Sequence, residues 1–176
     1  MKTLAIWGVT ALGLVALPAA AQAQSNDTAQ LEPYVGVSAG YHDLGSGLPD
    51  DDGITYGVVA GVDVPVGETL FVGAEANFHL GENAIDYEYG AAARVGVRVG
   101  EATKLYVRGG YQEVDIDLDN FITTPVVGLD DSDGDYLVGA GVDFGLSEDS
   151  PVRFRAAIDT IAFDSTRATV GVLFAF

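Results

Sequence analysis

The chain has 176 residues, no cysteine, and 26 acidic against 8 basic side chains, for a formal charge of −18. That balance excludes nucleic-acid binding by phosphate neutralisation, and the missing thiols exclude a disulfide framework or cysteine chemistry. Apolar residues still make up 48 % of the chain, so they must be spread through short segments while the acids collect elsewhere.

The N-terminus reads as a signal peptide. Lys2 supplies the positive region, residues 4–17 an apolar run, and Ala21-Gln22-Ala23 a small-x-small cleavage site. Residues 1–23 are therefore expected to be removed, leaving 24–176 as one domain. No later window holds about 18 uninterrupted apolar residues, so no helical span is expected.

Glycines scattered through the apolar segments weaken any helix, whereas alternation with period two is strong. Residues 34–42 place Val35, Val37, Ala39 and Tyr41 on one face. In 54–64, Ile54, Tyr56, Val58, Ala60, Val62 and Val64 share the oily face, opposed by Thr55, Gly57, Gly61 and Asp63. In 70–80, Leu70, Val72, Ala74, Ala76, Phe78 and Leu80 oppose Phe71, Gly73, Glu75, Asn77 and His79. The pattern is clearest in 87–99, where Tyr87 to Val99 at odd positions oppose Glu88, Gly90, Ala92, Arg94, Gly96 and Arg98.

The fifth segment, 104–113, is less regular. Leu105, Val107, Gly109 and Tyr111 form one face, but beyond Tyr111 the apolar parity inverts through Val114, Ile116 and Leu118. Either the strand leaves the lipid there or a bulge sits at Gly109-Gly110. Segments 135–146 and 152–160 alternate again, the latter opposing Phe154, Ala156 and Ile158 to Arg153, Arg155 and Asp159. The last, 167–176, carries Ala168, Val170, Val172, Phe174 and Phe176 on one face.

Eight strands of about ten residues suit a tilted crossing of the hydrocarbon layer, and an even number puts both termini on one side. Connectors alternate too: 65–69, 100–103 and 147–151 are tight, while 43–53, 81–86, 117–134 and 161–166 are generally longer. Short periplasmic and longer extracellular connections would place the termini in the periplasm. The basic residues fit this arrangement. Arg94, Arg98, Arg108, Arg153, Arg155 and Arg167 all fall on inward faces, where Asp63, Glu75, Glu88, Asp143 and Asp159 also lie, and Lys104 sits by a tight turn. A buried arginine needs a carboxylate, and an eight-stranded interior is just wide enough for side chains to fill it. The expectation is a paired polar lumen, plugged rather than open. Aromatics near strand ends, from Tyr34 and Tyr41 to Phe174 and Phe176, are candidate interface girdles.

With its leader, its alternating strands, Leu105-Tyr106-Val107-Arg108-Gly109-Gly110-Tyr111, Tyr136-Leu137-Val138-Gly139-Ala140-Gly141-Val142 and its terminal Phe176, the chain resembles the small eight-stranded outer-membrane barrels of the OmpA/OmpX-type and opacity-like group. The resemblance implies an all-β, antiparallel, up-and-down transmembrane β-barrel in the bacterial outer membrane. It implies that Phe176 serves as the aromatic signal read by the barrel-assembly machinery. Unlike the longer OmpA form, the sequence ends at the barrel, so wall anchoring is not implied.

Asp130-Asp131-Ser132-Asp133-Gly134-Asp135 looks like a calcium loop, but an EF-hand would need an acid at Leu129 and a glutamate at Ala140. With Asp50, Asp51 and Asp52 these acids are candidates for weak cation binding, for instance bridging to lipopolysaccharide phosphates, or simply for a solvated rim. His42 and His79 sit inward near that rim, with Ser38 close to them but in no nucleophile motif. The sequence therefore points to a non-enzymatic envelope protein without cofactor or structural metal, in contact with outer-membrane lipid and lipopolysaccharide, and names no extracellular partner. The alternatives are a small porin, a lipid-modifying enzyme, or a soluble lipocalin-like barrel with its arginines outside.

Overall fold

The computed structural model describes residues 31–45, 52–82, 85–116, 132–147 and 150–176. The expected leader, residues 1–23, lies outside them, as do Asp50, Asp51, Asp130 and Asp131. Eight strands follow in order: β1 (Glu32–Asp43), β2 (Asp52–Val66), β3 (Leu70–Gly81), β4 (Ile85–Val99), β5 (Thr103–Ile116), β6 (Ser132–Gly145), β7 (Val152–Ile161) and β8 (Ser165–Ala175). Each pairs antiparallel with the next, and β8 returns to β1 to close the barrel. The closing seam runs from Tyr34 opposite Ala175 to Asp43 opposite Thr166. Closure satisfies the backbone of every strand without an open edge, the condition for crossing lipid with strands.

Polarity is inverted relative to a soluble barrel. Val37, Val58, Val107 and Val170 are more than half exposed, while Arg94 and Arg155 are 2 % and 4 % exposed. An apolar band this continuous has no place on a soluble monomer, so the lipocalin-like alternative is excluded. The charges inside explain the glycines between them. A Cβ on Gly139 would collide with the carboxylate of Asp159, so the bare backbone makes room for the ion pair.

Three points of the sequence reading are settled or changed. First, there is no bulge at Gly109-Gly110: β5 keeps one register with β4 and β6 through that pair, and the irregularity lies in β4 between Ile85 and Tyr87. Second, the change beyond Tyr111 is one of polarity and not of register: the outward face there carries Glu113 and Asp115, as fits a strand that leaves the lipid. Val114 simply keeps pointing inward, where it packs with Ile85, Leu137 and Ile161 in a buried apolar cluster. The parity was constant; the lumen turns from polar to apolar near this end. Third, the end with the longer connections is uneven. The β1–β2 and β5–β6 connections span 44–51 and 117–131, but β3–β4 and β7–β8 are joined by only 82–84 and 162–164.

Candidate functional site: the lumen charge network

The inward face of each strand contributes to one interior column of ion pairs. At the end carrying the chain termini, Glu32 of β1 accepts from Arg98 of β4 at 2.5 Å and from Lys104 of β5 at 2.7 Å. Lys104 also donates to Asp63 of β2 at 2.6 Å. Above these groups opens a vestibule of about 390 Å³ lined by Glu32, Asp63, Lys104, Asp143, Arg153 and Phe176, among others.

The middle of the barrel is organised on Glu75 of β3, which is 4 % exposed. It accepts from Arg108 and Arg155, from Arg94 at 3.3 Å, and from the Tyr34 hydroxyl at 2.6 Å. Its partners therefore lie on β1, β4, β5 and β7, tying opposite walls together. Two forks complete the layer. Arg155 grips Asp143 through Nε at 2.7 Å and Nη2 at 2.8 Å. Arg108 grips Asp159 through Nε and Nη2, both at 2.7 Å. Such bidentate pairs are the strongest ion-pair geometry. Arg94 adds Asp143 at 2.8 Å and Asp63 at 3.2 Å, with its guanidinium 3.9 Å from the ring centre of Tyr106. A desolvated cation over an aromatic face gains further stabilisation.

Nearer the loop end, Glu88 of β4 collects Arg167 at 2.6 Å, His42 at 2.9 Å and His79 at 3.4 Å. The other ring nitrogen of His79 lies 2.7 Å from Ser38 Oγ, and that of His42 lies 3.4 Å from Ser165 Oγ. Ser38, His79 and Glu88 thus follow the order nucleophile, base, acid. The arrangement is not a catalytic one. The cavity that Ser38 and His79 line measures about 10 Å³, barely one water. The backbone around it is paired in the ladders, and the arginines that line it are held by Glu75, Asp159 and Glu88. A reciprocal amide pair, Asn77 with Gln112 at 3.2 and 3.1 Å, lies at the same level, and the apolar cluster of Ile85, Val114, Leu137 and Ile161 lies toward the loop end.

The structure brings together Asp63, Glu75, Glu88, Arg94, Arg98, Arg108, Asp143, Arg155, Asp159 and Arg167. It leaves Arg153 out: that side chain is half-buried in the vestibule wall and has no ion-pair partner among the described residues. Two members were missed. Lys104, which begins the fifth expected segment beside a tight turn, is a buried lumen cation, and Glu32 extends β1 two residues earlier on the same parity as Tyr34. That even-number parity was the available signal for both. Among the described residues the buried charges balance: Asp63, Glu75, Glu88, Asp143 and Asp159 against Arg94, Lys104, Arg108, Arg155 and Arg167. Among the described residues no group of three His, Asp or Glu side chains could hold a metal ion. Of the candidate cation-binding acids, Asp52 is described, accepting from the Tyr41 hydroxyl. Asp133 is placed only as backbone of β6. Phe176 is 70 % exposed, with its ring 6.3 Å from that of Phe174.

Comparison with known proteins agrees with this architecture. The chain is similar to the crystal structure of Ail, the attachment invasion locus protein of Yersinia pestis, at 16 % identity and a TM-score of 0.54, over 83 % of this chain and 97 % of that one. It is similar to the N-terminal β-barrel domain of Pseudomonas aeruginosa OprF at 16 % identity and a TM-score of 0.53, over 84 % and 100 %. A de novo designed transmembrane β-barrel aligns at 16 % identity and a TM-score of 0.50, over 87 % and 100 %. Such identities speak for the fold alone, and no curated protein matches the sequence. The family model for the outer membrane protein beta-barrel domain matches residues 9–176. The chain therefore belongs to that family, a bacterial outer-membrane protein that crosses the bilayer as an eight-stranded barrel.

Proposed function

We propose that this protein is a closed outer-membrane barrel with a structural role in the envelope and an acidic outer surface for interaction, its termini and short turns facing the periplasm. The observation that carries the reading is the balanced, fully paired set of buried charges around Glu75. Pairs that bridge opposite walls occupy the width an ion would need. The lining of the vestibule at the terminal end by Asp63 and Asp143, both members of the network, supports the reading. Purified protein in planar bilayers should show no stable channel openings. Reproducible unitary conductance would replace this reading with that of a small porin.

The loop end supports the interaction half of the proposal. Asp43, Asp52, Glu82, Asp86, Glu113, Asp115, Asp135 and Asp164 lie there, and no lysine or arginine occurs in any of the four segments that form this end. Ail has been solved in complex with the heparin analogue sucrose octasulfate. An all-acidic rim repels such a polyanion, and it fits basic partners or cation bridges to lipopolysaccharide phosphates. Outer-membrane lipid contacts the apolar band, and Phe176 is offered to the barrel-assembly machinery; nucleic acid is not a partner. The candidate cation-binding acids Asp50, Asp51, Asp52, Asp130, Asp131 and Asp133 are read as part of this solvated rim.

A further inference from the structure

The connection between β7 and β8 is built against the usual rules of turn chemistry. Ala162 and Phe163 both take positive φ, 55° and 65°, a region in which side chains other than glycine and asparagine are disfavoured. Hairpins that need two such residues normally use Asn-Gly or Asp-Gly. Here the surroundings hold the strained pair in place. Asp164 N–H donates to Ile161 O at 3.3 Å, and Ala162 N–H donates across to Tyr136 O of β6 at 3.0 Å. On the other side, Gly45 approaches so closely that a Cβ there would collide with the Asp164 carbonyl oxygen. Strain that persists under such support is often linked to function.

What the turn presents is an aromatic ring: Phe163 is 75 % exposed. The hydrogen bond to Tyr136 fixes its height along the barrel. Tyr136 lies opposite Tyr111, and the outward aromatics of this end form a belt through Tyr41, Tyr56, Phe78, Tyr89, Tyr111 and Tyr136, with the rings of Phe78, Tyr87 and Tyr89 stacked. Every strand from β1 to β6 contributes a ring, but β7 and β8 have only Ile158, Thr160, Thr166 and Ala168 on their outward faces at this level. Phe163, in the turn that joins these two strands, is the exposed ring nearest to that gap in the chain.

We infer that the strained β7–β8 turn is a lipid anchor, placing Phe163 at the headgroup–acyl boundary of the surrounding leaflet to complete the aromatic belt where the two strands supply none. The ligand is the lipid interface itself. The inference rests on the outer-membrane placement and not on whether the lumen conducts, so a porin result would leave it standing.

The test uses Phe163→Trp in residues 24–176, which lack the chain's one natural tryptophan, Trp7 of the expected leader, reconstituted in phosphatidylcholine vesicles carrying lipids brominated at graded acyl depths. Tyr136→Trp in the same background supplies the depth of the belt. The expected result is blue-shifted emission at position 163, quenched most strongly by the shallowest bromines, as at position 136. Water-like emission that no brominated lipid quenches would overturn the proposal. The double substitution Ala162→Asn with Phe163→Gly relieves the backbone and removes the ring. It should raise the temperature of heat-modifiable unfolding in detergent micelles, and that gain should shrink or reverse in vesicles. An equal gain in both media, or a loss in both, would mean that the strain serves no lipid contact.

Discussion

The lumen and the loop-end rim are both rich in carboxylates, yet only the lumen gives each one a cation. Asp63, Glu75, Glu88, Asp143 and Asp159 are almost completely buried, and each contacts at least one arginine or lysine. At the rim, Asp43 accepts from the Gly45 amide, Asp52 from the Tyr41 hydroxyl and Asp135 from the Tyr136 amide, all neutral donors. Asp43 and Asp52 even stand opposite one another in the ladder. Solvent makes the difference. An unpaired ion costs several kcal/mol in a low-dielectric interior, whereas water and salt screen like charges at a surface within about 8 Å. The chain's excess negative charge can therefore gather at one end without destabilising the barrel.

The comparison is broken most severely at its centre. Glu75→Gln keeps the volume but leaves Arg94, Arg108 and Arg155 short of a carboxylate, and the expected loss is about 3–5 kcal/mol. Urea unfolding of the folded barrel in vesicles measures it. Arg167→Met removes one cation from a site where Glu88 still has His42 and His79, and Asp159 still has Arg108. A smaller loss of about 1–3 kcal/mol is expected in the same assay. Asp43→Asn, Asp86→Asn and Asp164→Asn at the rim should each change stability by less than about 0.5 kcal/mol. Combined, they should weaken salt-sensitive binding of a polylysine probe to vesicle-embedded protein. A rim variant as destabilising as Glu75→Gln would erase the distinction between the two regions.

Most of the fold was legible because a barrel wall has one period throughout. Arg94 and Val95, or Arg155 and Phe154, could be assigned to opposite faces from adjacency alone, and the paired charges follow from the same parity. What parity does not encode is the chemistry expected at each depth. The apolar run at Val114 left a bulge at Gly109-Gly110 open because a polar lumen was assumed to continue, whereas four strands supply an apolar layer from Ile85, Val114, Leu137 and Ile161. Those partners are distant in sequence and meet only once register is fixed. Glu32 was lost to an uncertain strand end, where a shift of two residues separates a loop charge from a lumen charge, and Lys104, first in its expected segment, was set aside for its closeness to the turn. Arg153 shows the converse: correct parity does not supply a partner when the strand level lies at the mouth. The turn at Ala162 and Phe163 carries no glycine or asparagine, so nothing local announces its backbone.

The most direct test of the central claim is a double-mutant cycle on Arg155 and Asp143, the bidentate pair across β6 and β7. Unfolding free energies of Arg155→Met, Asp143→Leu and the double variant would be compared in vesicles. If burial compels pairing, each single change leaves the remaining ion with only its second partner, Arg94 for Asp143 or Glu75 for Arg155, and the double variant loses less than the sum of the two single ones. Additive losses would mean that the two charges are independently solvated inside the barrel, contradicting a sealed, charge-balanced lumen.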